Sequence, residues 1–201
     1  MKPKPDHYYT ENPESQARFG LVSTCLRGKP FEFMTGSGVF SIKRVDLGTR
    51  VLIESMILPE EGCVLDVGCG YGAVGIAAAK FNSKLQVVMT DVNRRAVLLA
   101  RQNAEKNHAF NVEVRHGSLY TPLKNYCFNC ILSNPPVSAG METVATIIRG
   151  APAVMAPGAT LQMVLRSKIG KKTLPAVFIE TFGNFKVHAI ESGYRVLMAE
   201  K

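Results

Sequence analysis

No apolar run in the 201 residues approaches the roughly 18 needed to cross a bilayer. The opening Met1-Lys2-Pro3-Lys4-Pro5 lacks the apolar centre of a secretion signal, so a cytoplasmic location is expected. Cysteine is sparse and odd in number, five in all, which argues for reduced thiols rather than a disulfide framework. Metal-ligand spacing is missing as well. His7, His108, His116 and His188 are scattered, and Cys127 and Cys130 form a lone C-x-x-C whose members, three apart on a strand, point to opposite faces. No metal is therefore expected, and no Ser-His-Asp arrangement offers a nucleophile. Acid is scarce beside base, 16 residues against 24, for a net charge of +8. That excess suits a polyanion such as RNA, although charge alone equally fits simple solubility.

What is present fits one domain over 1–201, an N-terminal arm, hairpin and helix over 1–60 and a β/α core over 61–201. Residues 1–29 are polar and proline-dotted and read as an arm. Phe31–Met34 and Val39–Ile42 flank Thr35-Gly36-Ser37-Gly38 and predict a hairpin. Asp46 caps a helix expected to run to Ile57. From Cys63 the rhythm becomes strand, helix, strand. Strands are expected at Val64–Val67, Leu85–Thr90, Val112–Arg115, Phe128–Ser133 and Thr160–Leu165, with a final pair at Phe185–Ile190 and Tyr194–Met198. Helices are expected after residue 72, from Asn93 to Lys106, from Glu142 to Met155, and from Lys171 to Phe182. This alternation predicts a Rossmann-like, doubly wound, seven-stranded sheet, mostly parallel with an antiparallel C-terminal strand.

The candidate chemistry sits at the carboxyl ends of the strands, where such sheets bind ligands. Gly70-Tyr71-Gly72-Ala73-Val74-Gly75 fits the dinucleotide fingerprint, with Asp91 at the distance of a ribose-binding acid. An oxidoreductase using NAD is one reading. The other takes the strand to end near Val67, so that Gly68 is the first turn glycine and Asp66-x-Gly68-x-Gly70-x-Gly72 is the arrangement of S-adenosylmethionine (SAM) enzymes. Asn134-Pro135-Pro136-Val137 favours the second. An exocyclic amine or amide nitrogen is a poor nucleophile because its lone pair is delocalised. The Asn134 side-chain oxygen and the Pro135 carbonyl are suited to accept its two N–H bonds and turn the lone pair toward a methyl donor. Hydride transfer has no use for this tetrapeptide.

The Asp66–Gly72 and Asn134–Pro136 motifs together resemble class I SAM-dependent N-methyltransferases. Narrower signatures at 7–13, Ser37–Ser41, Asp46–Thr49 and Ile147–Gly150 resemble the catalytic half of the small-domain ribosomal RNA guanine-N2 methyltransferases, over nearly the whole chain. The resemblance implies that Asp66, Gly68, Gly70 and Gly72 hold the methionine end of SAM, Asp91 with Val92 the ribose, and Ser118-Leu119 the adenine. It implies that Asn134, Pro135 and Pro136 hold the target amine, walled by Phe40. Val137 stands where relatives often carry an aromatic that stacks on the target base, so stacking would fall to Phe40, Tyr8 or Tyr9. Members of this branch also carry a further N-terminal half that helps bind RNA. Here RNA phosphates are expected at Arg166, Lys168, Lys171 and Lys172 or at Arg94 and Arg95, with a solvated charged face as the alternative. Methylation of adenine N6 or of a protein glutamine, and a non-catalytic RNA-binding role, remain as rival readings; oligomeric state is not legible.

Overall fold

The computed structural model of the protein describes residues 10–13, 16 and 18–201; His7, Tyr8 and Tyr9 lie outside them. In chain order the elements are β1 (Phe19–Leu26), β2 (Lys29–Gly36), α1 (Leu47–Ser55), β3 (Gly62–Val67), α2 (Ala73–Phe81), β4 (Leu85–Asp91) and α3 (Arg94–Lys106). They continue with β5 (Val112–His116), β6 (Phe128–Ser133), α4 (Met141–Gly150), β7 (Met155–Arg166), α5 (Leu174–Phe182), β8 (Lys186–Glu191) and β9 (Tyr194–Glu200).

The main sheet has the order β5-β4-β3-β6-β7-β9-β8, with β9 alone running against its neighbours. Strand order reverses between β3 and β6, which opens a crevice at their carboxyl ends. Both faces are covered, so the central strands carry apolar residues continuously. Val64 and Leu65 are adjacent on β3 and fully buried, yet they belong to different apolar clusters on opposite faces of the sheet. No helix among the described residues is long and apolar enough to cross a membrane.

The hairpin differs from its expectation. Phe31–Met34 does form strand, within β2, but its antiparallel partner is β1, which precedes it. Arg27 and Gly28 close the turn at φ 43° and 74°, the handedness a two-residue hairpin loop requires. The alternation in β1 buries Val22 and Leu26 and exposes Phe19 and Leu21. Val39–Ile42 is loop, drawn back by the Thr35 hydroxyl, which donates to the Ile42 carbonyl at 2.8 Å. The other edge of β2 is met by side chains of α3. Asn103 accepts from the Met34 N–H (2.6 Å) and donates to the Met34 carbonyl (2.9 Å). Asn107, one turn on, does the same for Glu32 at 3.1 and 2.8 Å.

Helix boundaries also shift, and α1 stops at Ser55 rather than Ile57 because Met56 leaves the helical conformation (φ −58°, ψ 138°). α4 ends at Gly150 rather than Met155, because Pro152 lacks the N–H needed to continue the helical ladder. β7 then begins at Met155, and Pro157-Gly158 fall within a register irregularity opposite β6 instead of before the strand. α5 starts at Leu174, with Pro175 in its first turn, and stops at Gly183 in the left-handed region.

Candidate active site

The crevice begins with the loop leaving β3. Gly68 and Gly70 take φ of 72° and 56°, values that L side chains resist, and a Cβ at either would meet nothing within 4 Å. The backbone therefore turns sharply while leaving open space beside it. Gly68 and Cys69 donate their N–H groups to the Thr90 carbonyl at 2.9 and 3.0 Å, which strings the loop across the end of β4. Gly70 donates to Asp91 Oδ2 at 2.8 Å. Gly72 is the residue before α2 and does not line the cavity described next. Gly75, in the first turn of α2, donates to Asp66 Oδ2 at 2.9 Å, and Met89 packs where its side chain would be.

A cavity of about 460 Å³ opens above this loop. Asp66, Gly68, Gly70, Asp91, Val92, Ser118 and Leu119 line one side; Phe40, Asn134, Pro135 and Pro136 line another. Asp66 is 1 % exposed. Burial pushes its carboxyl up to about 7, against the Gly75 N–H, and the neighbouring Asp91 adds to the rise. Burial also raises Asp91, opposed by the N–H groups of Asn93 (2.8 Å) and Gly70 and by His116. Among the described residues no Lys or Arg ion pair engages either acid. Thr90 Oγ1, also on the cavity, is buried without a partner. A buried Asp66 beside a half-buried Asp91, neither paired to a Lys or Arg among the described residues, makes a place for a positively charged ligand. The Cys69 thiol between them is pushed up well above its ordinary range, by burial first and then by Asp91 and Asp66, so it stays a neutral filler.

The wall bearing Phe40 is held by the start of α3. Asn93 is fully buried; its Oδ1 caps α3 and its Nδ2 donates to the Gly38 carbonyl at 2.7 Å. Arg95 donates to the Ser37 carbonyl at 2.6 Å and to the Pro13 carbonyl at 3.2 Å. Arg95 is thus engaged in tying the loop and the arm to the core, where the sequence pointed to phosphate. Asp46 Oδ2 caps α1 by accepting from the Gly48 and Thr49 N–H groups at 2.9 and 3.3 Å.

Asn134 follows β6, whose last residue Ser133 donates its hydroxyl to the Val67 carbonyl at 2.9 Å. The Asn134 amide nitrogen donates to Thr49 Oγ1 at 2.9 Å and to Asp46 Oδ2 at 3.3 Å. The Pro135 carbonyl accepts the Val137 N–H at 2.9 Å across an inverse γ-turn centred on Pro136 (φ −75°, ψ 77°). One lone pair of that carbonyl is therefore in use and one is free. The same turn carries Val137 onto the core beneath α4, and it is not among the residues lining the cavity. Lys171 and Lys172 are exposed in the segment before α5, also outside the lining. Sequence reasoning gave Asp46 a capping role only and gave Thr49 none, although both lie in the Asp46–Thr49 signature. The Ile147–Gly150 signature has a packing reason: Tyr120 donates its hydroxyl to the Ile147 carbonyl at 2.7 Å, and its ring lies 2.8 Å from where a Cβ on Gly150 would sit. Cys130 is buried, its thiol raised by burial to about 12, and it accepts from Gln162 Nε2 at 3.3 Å, while Cys127 is exposed.

A family model described as the methyltransferase small domain matches residues 30–198. The chain is 37 % identical over 198 residues to the uncharacterized protein YbxB of Bacillus subtilis, covering 98 % of each. It is 34 % identical over 166 residues to ribosomal RNA small subunit methyltransferase C of Shigella flexneri, covering 81 % of this chain and 47 % of that one. Among solved structures it is similar to the T. thermophilus 16S rRNA N2 G1207 methyltransferase (RsmC) in complex with AdoMet and guanosine, with TM-score 0.81 and 27 % identity over 94 % of this chain and 52 % of that chain. The chain thus spans about half the length of the named methyltransferases it matches.

Proposed function

We propose, from the premise that this chain belongs to the methyltransferase small domain family, that it transfers a methyl group from SAM to the exocyclic N2 of a guanine in ribosomal RNA. The observation that carries this reading is the position of Asn134, which opens onto the same cavity as Asp66 and Asp91 although it comes 43 residues after Asp91 (134 − 91). Two of the proteins named above, those of Shigella flexneri and T. thermophilus, act on ribosomal RNA by their descriptions, and the second is bound to AdoMet and guanosine.

The residues present fit SAM. Asp66 is buried and Asp91 half-buried, neither paired to a Lys or Arg among the described residues, and SAM brings an ammonium and a sulfonium. Asp66 and the open faces of Gly68 and Gly70 would hold the methionine end. Asp91, whose oxygens already take the Gly70 and Asn93 N–H groups, would accept the ribose hydroxyls with the lone pairs that remain. Val92, Ser118 and Leu119 would flank the adenine. When bound, SAM supplies a methyl carbon attached to a positively charged sulfur.

The chain's own part in the transfer is positional. Asn134 Oδ1 and the free lone pair of the Pro135 carbonyl accept the two N–H bonds of the guanine amine and draw its lone pair out of conjugation with the ring. Phe40 and Pro136 exclude water from the approach. The nitrogen lone pair forms the new N–C bond as the S–C bond breaks, its electrons leave with the sulfur, and one amine proton passes to solvent. No group with an acid–base pKa is needed. A ribosomal substrate sets the enzyme in the cytoplasm, and the exposed Lys171 and Lys172 would meet RNA phosphates.

The test is incubation with tritiated SAM and with RNA, ribosomal particles or protein from a strain lacking the gene, followed by mass spectrometry of the labelled product. N2-methylguanine in small-subunit RNA is the expected product. Label confined to adenine N6 or to glutamine would overturn the substrate, and no label in any fraction would overturn the reading.

A further inference from the structure

The Asp46–Thr49 segment has a use that helix capping does not explain. It comes 85 residues before Asn134 in sequence (134 − 49) and belongs to a different element, yet Thr49 Oγ1 and Asp46 Oδ2 are the two acceptors of the Asn134 amide nitrogen, at 2.9 and 3.3 Å. Thr49 is 7 % exposed and lines the cavity beside Asn134.

We propose that Asp46 and Thr49 are positioning residues that lock the Asn134 side chain in the single orientation presenting its oxygen to the target amine. This rests on the methyl-transfer reading above. A primary amide has an oxygen that only accepts and a nitrogen that only donates, and a half-turn about the last side-chain bond exchanges them at little steric cost. In the exchanged orientation the amide would offer N–H groups to the target amine, donor against donor, and the lone pair would not be drawn toward the methyl. Asp46 prevents this. Its carboxylate is an acceptor only, and its Oδ2 already takes the Gly48 and Thr49 N–H groups, which fixes that oxygen at the head of α1. An amide oxygen turned toward it would face like partial charge. The Thr49 hydroxyl supplies the shorter bond and is held by the first turn of the same helix.

The arrangement also selects the acceptor. With Oδ1 directed into the cavity and the Pro135 carbonyl keeping one lone pair, Asn134 and Pro135 offer two hydrogen-bond acceptors side by side. An –NH₂ group satisfies both; a carbonyl oxygen satisfies neither. α1 thus serves two ends, burying Val51, Leu52 and Ile53 in the core while its first turn governs an amide on a distant loop.

Thr49→Val keeps the shape of the side chain and removes the acceptor; Thr49→Ser keeps the acceptor. Steady-state methylation of ribosomal RNA and calorimetric binding of SAM are measured for both variants and for the wild type. Thr49→Val is expected to lower kcat at least tenfold, with KM for RNA and the dissociation constant for SAM within threefold of wild type. Thr49→Ser is expected to restore kcat to within threefold. Asp46→Ser, which retains a capping oxygen but withdraws the reach to Asn134, is expected to lower kcat in the same way. Full kcat in Thr49→Val would overturn the proposal. So would a loss of SAM binding parallel to the loss of kcat, or a Thr49→Ser variant no better than Thr49→Val, since either would make the threonine a packing residue. A wild-type protein that methylates no RNA would instead overturn the methyl-transfer reading itself.

Discussion

Asp91 Oδ2 accepts the Gly70 N–H at 2.8 Å, so the acid that ends β4 also fixes the turn that leaves β3. Its other oxygen takes the Asn93 N–H at the entry to α3. One carboxylate thereby joins three segments of the crevice, and removing it should disturb both the loop and the ribose contact. Asp91→Ala is expected to weaken SAM binding about 100-fold, the loss of two charge-assisted bonds of about 1.5–3 kcal/mol each, offset in part by solvent. Isothermal calorimetry measures this directly; an unchanged dissociation constant would remove Asp91 from the ribose site.

Asp66 gives SAM binding a pH dependence with a definite sign. Its carboxyl lies at about 7 in the folded protein, above the ordinary value of 3.8. The folded state therefore holds the proton more tightly than the unfolded one, and the free protein should lose stability as pH rises from about 4 to about 7. A cationic ligand favours the ionised form, so SAM affinity should rise over the same window and level off above it, with proton release on binding. Calorimetry in buffers of different ionisation enthalpy detects that release. Asp66→Asn should abolish it.

Asn134→Ala is expected to lower kcat by about 10²–10³, the usual effect of deleting one preorganised polar contact at a reacting centre. SAM affinity should stay within a few-fold, because the fold places Asp66 and Asp91 independently of this side chain. A variant with wild-type kcat would show that methyl transfer does not use the amide.

Gly150→Ala tests packing rather than chemistry. The new Cβ would stand 2.8 Å from the Tyr120 ring, which its bond to the Ile147 carbonyl holds in place. Overpacking of this kind costs about 1–3 kcal/mol. Thermal denaturation should show a Tm lower by several degrees, at about 2–4 °C per kcal/mol for a chain of this size. An unaltered Tm would mean that Tyr120 yields freely.

Lys171→Glu with Lys172→Glu addresses the polyanion. Each phosphate contact contributes about 0.7–0.9 to the slope of log affinity against log salt. The double variant should bind ribosomal RNA more weakly at low salt, with a slope shallower by about 1.5 if both lysines meet phosphate. An identical slope would assign both to solvated surface.

The sheet was legible because β and α segments alternate with strong apolar patterning, and because Asp46, Asn93 and Gly183 mark helix ends by local chemistry. Asp66, Asp91 and Asn134 were legible as neighbours because residues at the carboxyl ends of β3, β4 and β6 must converge. What sequence did not reveal depends on contacts between distant segments. Arg27-Gly28 is not among the strong hairpin pairs, so the sequence of β1 reads as arm although its burial alternates regularly. Arg95 carries a charge that suits phosphate, and only the fold brings the Ser37 and Pro13 carbonyls to it. Val137 follows the motif directly, yet the γ-turn at Pro136 rotates it away from the cavity. Thr49 offered no local clue, since its partner lies on another layer of the molecule.

The pair Asn103 and Asn107 has a consequence for self-association. Their amides answer the main-chain groups of Glu32 and Met34 in the spacing an incoming strand would use. That rail of β2 is therefore closed to recruitment by a misfolded neighbour. Aggregation seeded at the hairpin would have to start from β1, where Phe19 and Leu21 face outward.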